Sequence, residues 1–243
     1  MLGPLAVGVA YFVGHLFVAG WVLFPPTDTT NWLPYFAIGA AILGAFCGML
    51  AIKAWARVLI FALVSVGALR LLLKPKFQYG WSFSEGWIWV ACLGSAMVLL
   101  AIILDALVRR SGTPVETPAF LLIVSAGTCG GLMLSGSMLL GQFAAVLTAA
   151  VLGTLVFTIR RVNLGRGIVP VFSLLLVALL LSGYFFAELP ATSAALMAFA
   201  PALALIPIRT LTLPAFPVRA ALVSAPILVA LVLAFRSSPP LSY

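Results

Sequence analysis

Charge is what the chain most conspicuously lacks. Of 243 residues only 7% are charged, 5 of them acidic and 13 basic, against about 25% in an ordinary soluble domain. A water-soluble fold of this length needs a polar shell, and too few charges exist to build one. Histidine is reduced to a single residue, His15. One imidazole excludes both the paired axial ligands of a b-type haem and an HExxH zinc site. The three cysteines, Cys47, Cys92 and Cys129, fall inside apolar runs with no CxxC and no ligand spacing. They read as thiols that pack, and they leave the redox compartment open. Glycine-rich phosphate loops, a GxSxG nucleophile elbow and a Ser/His/Asp set are also missing.

What is present is hydrocarbon. Residues of hydrophobic type make up 64% of the chain, in recurring runs of about 20, the length an α-helix needs to cross about 30 Å of bilayer core. Lipid offers the backbone no hydrogen-bond partner, so each run closes its own bonds as a helix. A transmembrane β-barrel would show shorter, alternating segments. The fold class expected is therefore an all-α integral membrane protein, residues 1–243 forming a single transmembrane helical domain with short loops and no soluble domain.

The apolar pattern predicts about nine helices, near Leu2–Phe24, Trp32–Ile52, Ala54–Leu73, Trp87–Val108, Pro118–Leu134, Ser137–Thr158, Gly167–Phe186, Pro190–Pro207 and Val218–Phe235. The eighth is the shortest and carries an internal proline, which makes eight the alternative count. The first run has no Lys or Arg before it and exceeds the apolar core of a signal peptide, so it is expected to be retained.

Orientation follows from the basic residues flanking the spans. With the N-terminus cytoplasmic, Lys53, Arg57, Arg109, Arg110, Arg160, Arg161, Arg166, Arg209 and Arg219 lie inside. Arg70, Lys74, Lys76 and Arg236 lie outside. The reverse orientation inverts that bias, so the N-terminus is expected inside and the C-terminus outside. Trp21, Trp32, Trp81, Trp87 and Trp89 then share the outer boundary, where rings with an apolar body and an N–H settle at headgroup level. The longest outer stretch, KPKFQYGWSFSEGW, mixes Lys with Phe, Tyr and Trp and suits a segment lying in the interface; a partner-docking loop is the alternative. The net charge of +8 marks helix ends rather than a basic domain, so the expected partners are membrane lipids, not nucleic acid.

Small residues recur every fourth position: Ala6, Ala10 and Gly14; Ala40, Gly44 and Gly48; Gly127 and Gly131; Ala145, Ala149 and Gly153. Positions four apart share a helix face, where a neighbouring backbone can approach closely. Such faces serve packing within the chain or association with other membrane subunits.

Few polar groups are placed to carry chemistry. His15 lies near the centre of the first span. It is read either as a neutral imidazole bonded to an adjacent helix, or as a proton or solute relay, or as one ligand to a haem or pigment metal. Asp105 and Arg109 are one helical turn apart and form a candidate ion pair. Ser135, Ser137 and Gln142 sit around the tight fifth-to-sixth connection, as helix contacts or as a solute path. Pro201 and Pro226 fall near the middles of the last two spans, where each removes a backbone donor and frees a carbonyl.

The function this favours is a non-catalytic polytopic membrane protein, a helix-packing scaffold or accessory subunit of a membrane complex. A permease or channel for a small neutral or hydrophobic solute is the alternative, and a lipid-acting enzyme ranks third. The expected location is a cell membrane, the inner one where a cell has two.

Overall fold

A computed structural model describes residues 2–26, 28–49, 52–159, 166–206 and 215–237. Every regular element among them is helical. In chain order they are α1 (Leu2–Ala19), α2 (Leu33–Met49), α3 (Ala54–Leu72), α4 (Lys74–Tyr79), α5 (Phe83–Arg110), α6 (Glu116–Leu134), α7 (Met138–Ile159), α8 (Ile168–Phe186), α9 (Ala191–Phe199) and α10 (Ala215–Ser237), with 3-10 stretches at Thr30–Trp32 and Ala200–Leu205. Seven helical segments are long and apolar enough to cross a membrane. The segments at Gly3–Ala19 and Ala191–Leu205 are apolar but shorter. Arg160, Arg161 and Arg209, counted in the charge bias, lie outside the described residues.

Both short segments have local causes. α1 stops five residues before the apolar run does, because Gly20 takes φ +77° and its N–H bonds the Leu16 carbonyl at 2.9 Å. That left-handed conformation is a glycine helix stop. Trp21, Leu23 and Phe24 follow outside the helix and are exposed. In the eighth apolar run Pro201 does not kink an α-helix but ends one. It lacks the N–H the next turn needs and restricts the residue before it, and the chain tightens to 3-10 from Ala200.

The chain divides into two compact units, residues 1–105 with 163–178, and residues 106–162 with 179–243. In the first unit α1 and α2 form an antiparallel hairpin. A Cβ on Gly8 would collide with the Ala41 side chain and lie 2.8 Å from the Ala37 carbonyl oxygen. Nearer the chain start, Pro4, Gly44 and Gly167 meet, with the Gly44 oxygen 2.8 Å from where a Gly167 Cβ would stand. α3 and α5 also run antiparallel, Gly94 lying against Leu69 and Val66 while Gly86 lies under the Phe77 ring.

In the second unit Gly136, with φ +86°, turns α6 into α7 within three residues, as the Ser135–Ser137 spacing led us to expect. α10 packs on α6, where Ile227 fills the space of a Gly127 Cβ. The two N-termini lie together: Phe120 and Phe216 have ring centroids 5.7 Å apart, and Arg219 reaches Glu116 at 3.7 Å. The segment 191–205 packs on α6. Leu189, just before it, and Met197, midway along it, lie against Gly131; at its end the Leu205 carbonyl accepts a bond from Arg110 Nη1, at the end of α5, at 3.2 Å.

α2 carries its own comparison of close and open glycines. Gly44 has backbone against it, whereas nothing lies within 4 Å of a Cβ built on Gly39. Overpacking typically costs about 1–3 kcal/mol, so Gly44→Ala is expected to lower the thermal unfolding midpoint of detergent-extracted protein. Gly39→Ala removes a flexible helix glycine at a free position and should be neutral or stabilise by up to about 1 kcal/mol. Equal effects of the two substitutions would contradict the packing.

Candidate functional site

In a body of hydrocarbon the groups able to do chemistry are the polar side chains that remain buried. Most of the hydroxyls are already committed to their own helices. Ser65 donates to the Phe61 carbonyl, Thr128 to Val124, Thr148 to Ala144 and Ser173 to Val169, all between 2.6 and 2.9 Å. This return bond to the previous turn lets a serine or threonine sit in lipid-facing or core positions without an outside partner. Ser193 is different. It donates across to the Ala230 carbonyl at 3.0 Å and ties α9 to α10.

His15 is fully buried, as is Tyr11 one turn before it on the same face of α1. Their rings are 6.1 Å apart between centroids and inclined by 39°. Gly8, one turn before Tyr11, lies against Ala37 and Ala41 of α2. The Tyr11 hydroxyl has no hydrogen-bond partner among the described residues, and the same holds for Ser182 on α8. A phenol buried beside an imidazole is chemically a proton donor next to a proton acceptor. Tyr11 was not singled out from the sequence, although its spacing of four from His15 was the available signal.

The other candidates lie in the second unit, apart from Asp105 at the end of the first. Ser135 is buried and donates to the Leu132 carbonyl at 2.8 Å; the Ser137 hydroxyl accepts from the Leu140 N–H at 3.3 Å and caps α7. Both hydroxyls therefore serve the turn. Gln142 is exposed. Pro201 is buried in the 3-10 stretch, which packs on α10. Pro226 lies inside α10 next to Ile227, the residue seated on Gly127.

Asp105 has a cation that local spacing to Arg109 did not show. Arg166, 61 positions on, places Nε 3.8 Å from its Oδ1. Glu116 likewise meets one distant group, the Arg219 guanidinium, and accepts locally from the Gly112 N–H at 3.1 Å, while the Ser111 and Thr117 hydroxyls meet at 2.6 Å. These contacts close the connection into α6. Among the described residues no three His, Cys, Asp or Glu side chains group as a metal site.

A second concentration of side chains lies at the turn from α3 to α5. Trp81 stacks on Trp89 with centroids 5.7 Å apart and planes 9° from parallel. Phe77 meets Trp81 and Trp87 edge-on, and the Arg70 guanidinium lies 4.0 Å over the Phe77 ring. Around the α1–α2 connection Phe24, Trp32, Tyr35 and Phe36 form another such group, and the Tyr35 hydroxyl donates to the Val22 carbonyl at 2.9 Å. No known protein family, curated protein or solved structure matches the chain.

A buried hydroxyl without a partner costs about 1–3 kcal/mol. Tyr11→Phe is therefore expected to leave the unfolding midpoint of the extracted protein unchanged or to raise it, by up to about 1 kcal/mol in stability. A clear loss of stability in calorimetry would mean that the hydroxyl is bonded in the native protein.

Proposed function

We propose that the chain is a non-catalytic scaffold or accessory subunit of a membrane complex, crossing the bilayer nine times with its N-terminus in the cytoplasm. The observation that carries the association is the outer face of α7. Ala149 and Gly153 are exposed one turn apart, Val156 follows on the same side, and nothing lies within 4 Å of a Gly153 Cβ. The glycines of α6 differ: Ile227 and Met197 fill the space at Gly127 and Gly131. Small residues left open on a membrane helix let a second backbone approach to packing distance, which is how helices associate where lipid is as apolar as protein.

The count of nine draws support from the second unit. The N-termini of α6 and α10 lie side by side, so an even number of crossings separates them. α6, α7 and α8 supply three, and the segment 191–205 then returns the chain to its starting side. By its rise it covers about 26 Å, and α1 about 27 Å, both a little under a bilayer core of about 30 Å. A modest local thinning accommodates them.

Cysteine labelling from either side of sealed vesicles tests the topology. Single cysteines at Gly112 and Arg219 should be labelled from the cytoplasmic side, and one at Tyr79 from the other. Labelling of Gly112 and Arg219 from opposite sides defeats the nine-crossing count. For the association, protein extracted in a mild detergent should run on native gels above the monomer mass. The pair of changes Ala149→Leu and Gly153→Leu should bring it down to the monomer. An unmodified chain that runs alone as a monomer ends the subunit reading.

Tyr11 and His15 favour a second reading, a permease or channel for a small neutral solute, because a buried phenol–imidazole pair is a ready polar station inside hydrocarbon. Stopped-flow swelling of proteoliposomes in glycerol or urea tests it. Rates equal to those of protein-free vesicles count against it.

A further inference from the structure

We infer that the helical turn joining α3 to α5 is a binding site for an anionic phospholipid, with Arg70 and Lys74 holding the phosphate and the surrounding aromatic side chains lying among the acyl chains. The cations come first. Arg70 closes α3 and is exposed; Lys74 opens α4 one turn later and is also exposed, with Lys76 half-buried two residues on. Among the described residues neither Arg70 nor Lys74 forms an ion pair with a carboxylate. The one acidic residue of the stretch, Glu85, sits in the first turn of α5, where it is stabilised by the helix dipole.

The guanidinium is also held in place. The Arg70 guanidinium carbon lies 4.0 Å over the Phe77 ring, and Phe77 is itself fixed by Trp81, by Trp87 and by Gly86, whose missing side chain makes room for the ring. A cation–π contact uses no N–H donor as a partner of a carboxylate, so the guanidinium keeps donors for the phosphate oxygens that its planar fork matches. A substitution of Gly86 by any larger residue would displace that ring.

Aromatic exposure decides between a lipid and a free anion. Tyr79 is 88% exposed, Phe83 78% and Ile88 63%. Inorganic phosphate would engage the cations alone. A phospholipid joins the phosphate to hydrocarbon and satisfies both halves of the surface at once. This inference requires only that the chain resides in a membrane; it holds whether or not the α7 face binds another subunit.

The test uses the full-length protein carrying Trp21→Phe, Trp32→Phe and Trp55→Phe, so that emission comes from Trp81, Trp87 and Trp89. It is reconstituted in phosphatidylcholine vesicles with about one lipid in five replaced by brominated phosphatidylglycerol or brominated phosphatidylcholine. Brominated phosphatidylglycerol should quench more strongly. Each cation contributes up to about fivefold in local preference, so Arg70→Gln with Lys74→Gln and Lys76→Gln should cut the preference about fivefold or more, while Arg70→Lys, which keeps the charge but loses the planar fork, should fall between that variant and the native protein. If the triple variant fails to fold, salt supplies the same readout. Raising sodium chloride from about 0.1 M to about 0.5 M should at least halve the preference of the protein with native cations. Equal quenching by the two lipids, or a preference untouched by both charge removal and salt, overturns the inference. So does emission that neither lipid quenches, which would place the turn in water against a protein partner. Loss of the preference on adding inorganic phosphate would assign the site to the free anion instead.

Discussion

The constraint on which the rest depends is that a polar group inside hydrocarbon must find its partner within the protein. The backbone meets it by coiling into helices. The hydroxyls meet it by bonding the carbonyl one turn back, as Ser65, Thr128, Thr148 and Ser173 do. Once these bonds are closed, a helix offers its neighbours shape rather than polarity. Packing then depends on where glycine and alanine allow two backbones to meet.

That dependence is visible in both units. Gly8 and Gly44 bring α1, α2 and the start of α8 together, and Gly127 and Gly131 receive Ile227 and Met197. Charges are confined to the ends. Arg166 and Asp105, and Arg219 with Glu116, hold chain segments that the sequence separates widely. A partly exposed pair contributes on the order of 0–1 kcal/mol, so these contacts set position more than they set stability. Tyr11 and Ser182 depart from the rule, since their hydroxyls are buried without a partner among the described residues. Departures of this kind are where function collects in membrane proteins.

The helical class and most helix edges were legible because hydrocarbon length and basic end residues act locally. The spans expected at Ala54–Leu73, Pro118–Leu134 and Gly167–Phe186 agree with α3, α6 and α8 to within two residues. Other edges moved for reasons of backbone chemistry: Gly20 cut the first helix short, and Pro201 ended an α-helix inside the expected eighth span. The turn serines were found, yet their roles as cap and turn bond needed coordinates. Ring geometry at Arg70, Phe77, Trp81 and Trp89 could not be read from a composition of aromatics and lysines, because stacking depends on how α3 and α5 fold back.

By itself the sequence determined that this is a helical, lipid-compatible chain with polarity at its ends, since solvation of each segment depends on that segment's own residues. It could not determine which apolar faces are hidden. Of the apolar stretch of α8 83% is buried, and of that of α10 only 22%, though the two are almost equally hydrophobic. Lipid and protein interior present nearly the same solvent to a leucine. Only the tertiary arrangement, through the close approaches that particular glycines permit, decides which helices become core and which remain open.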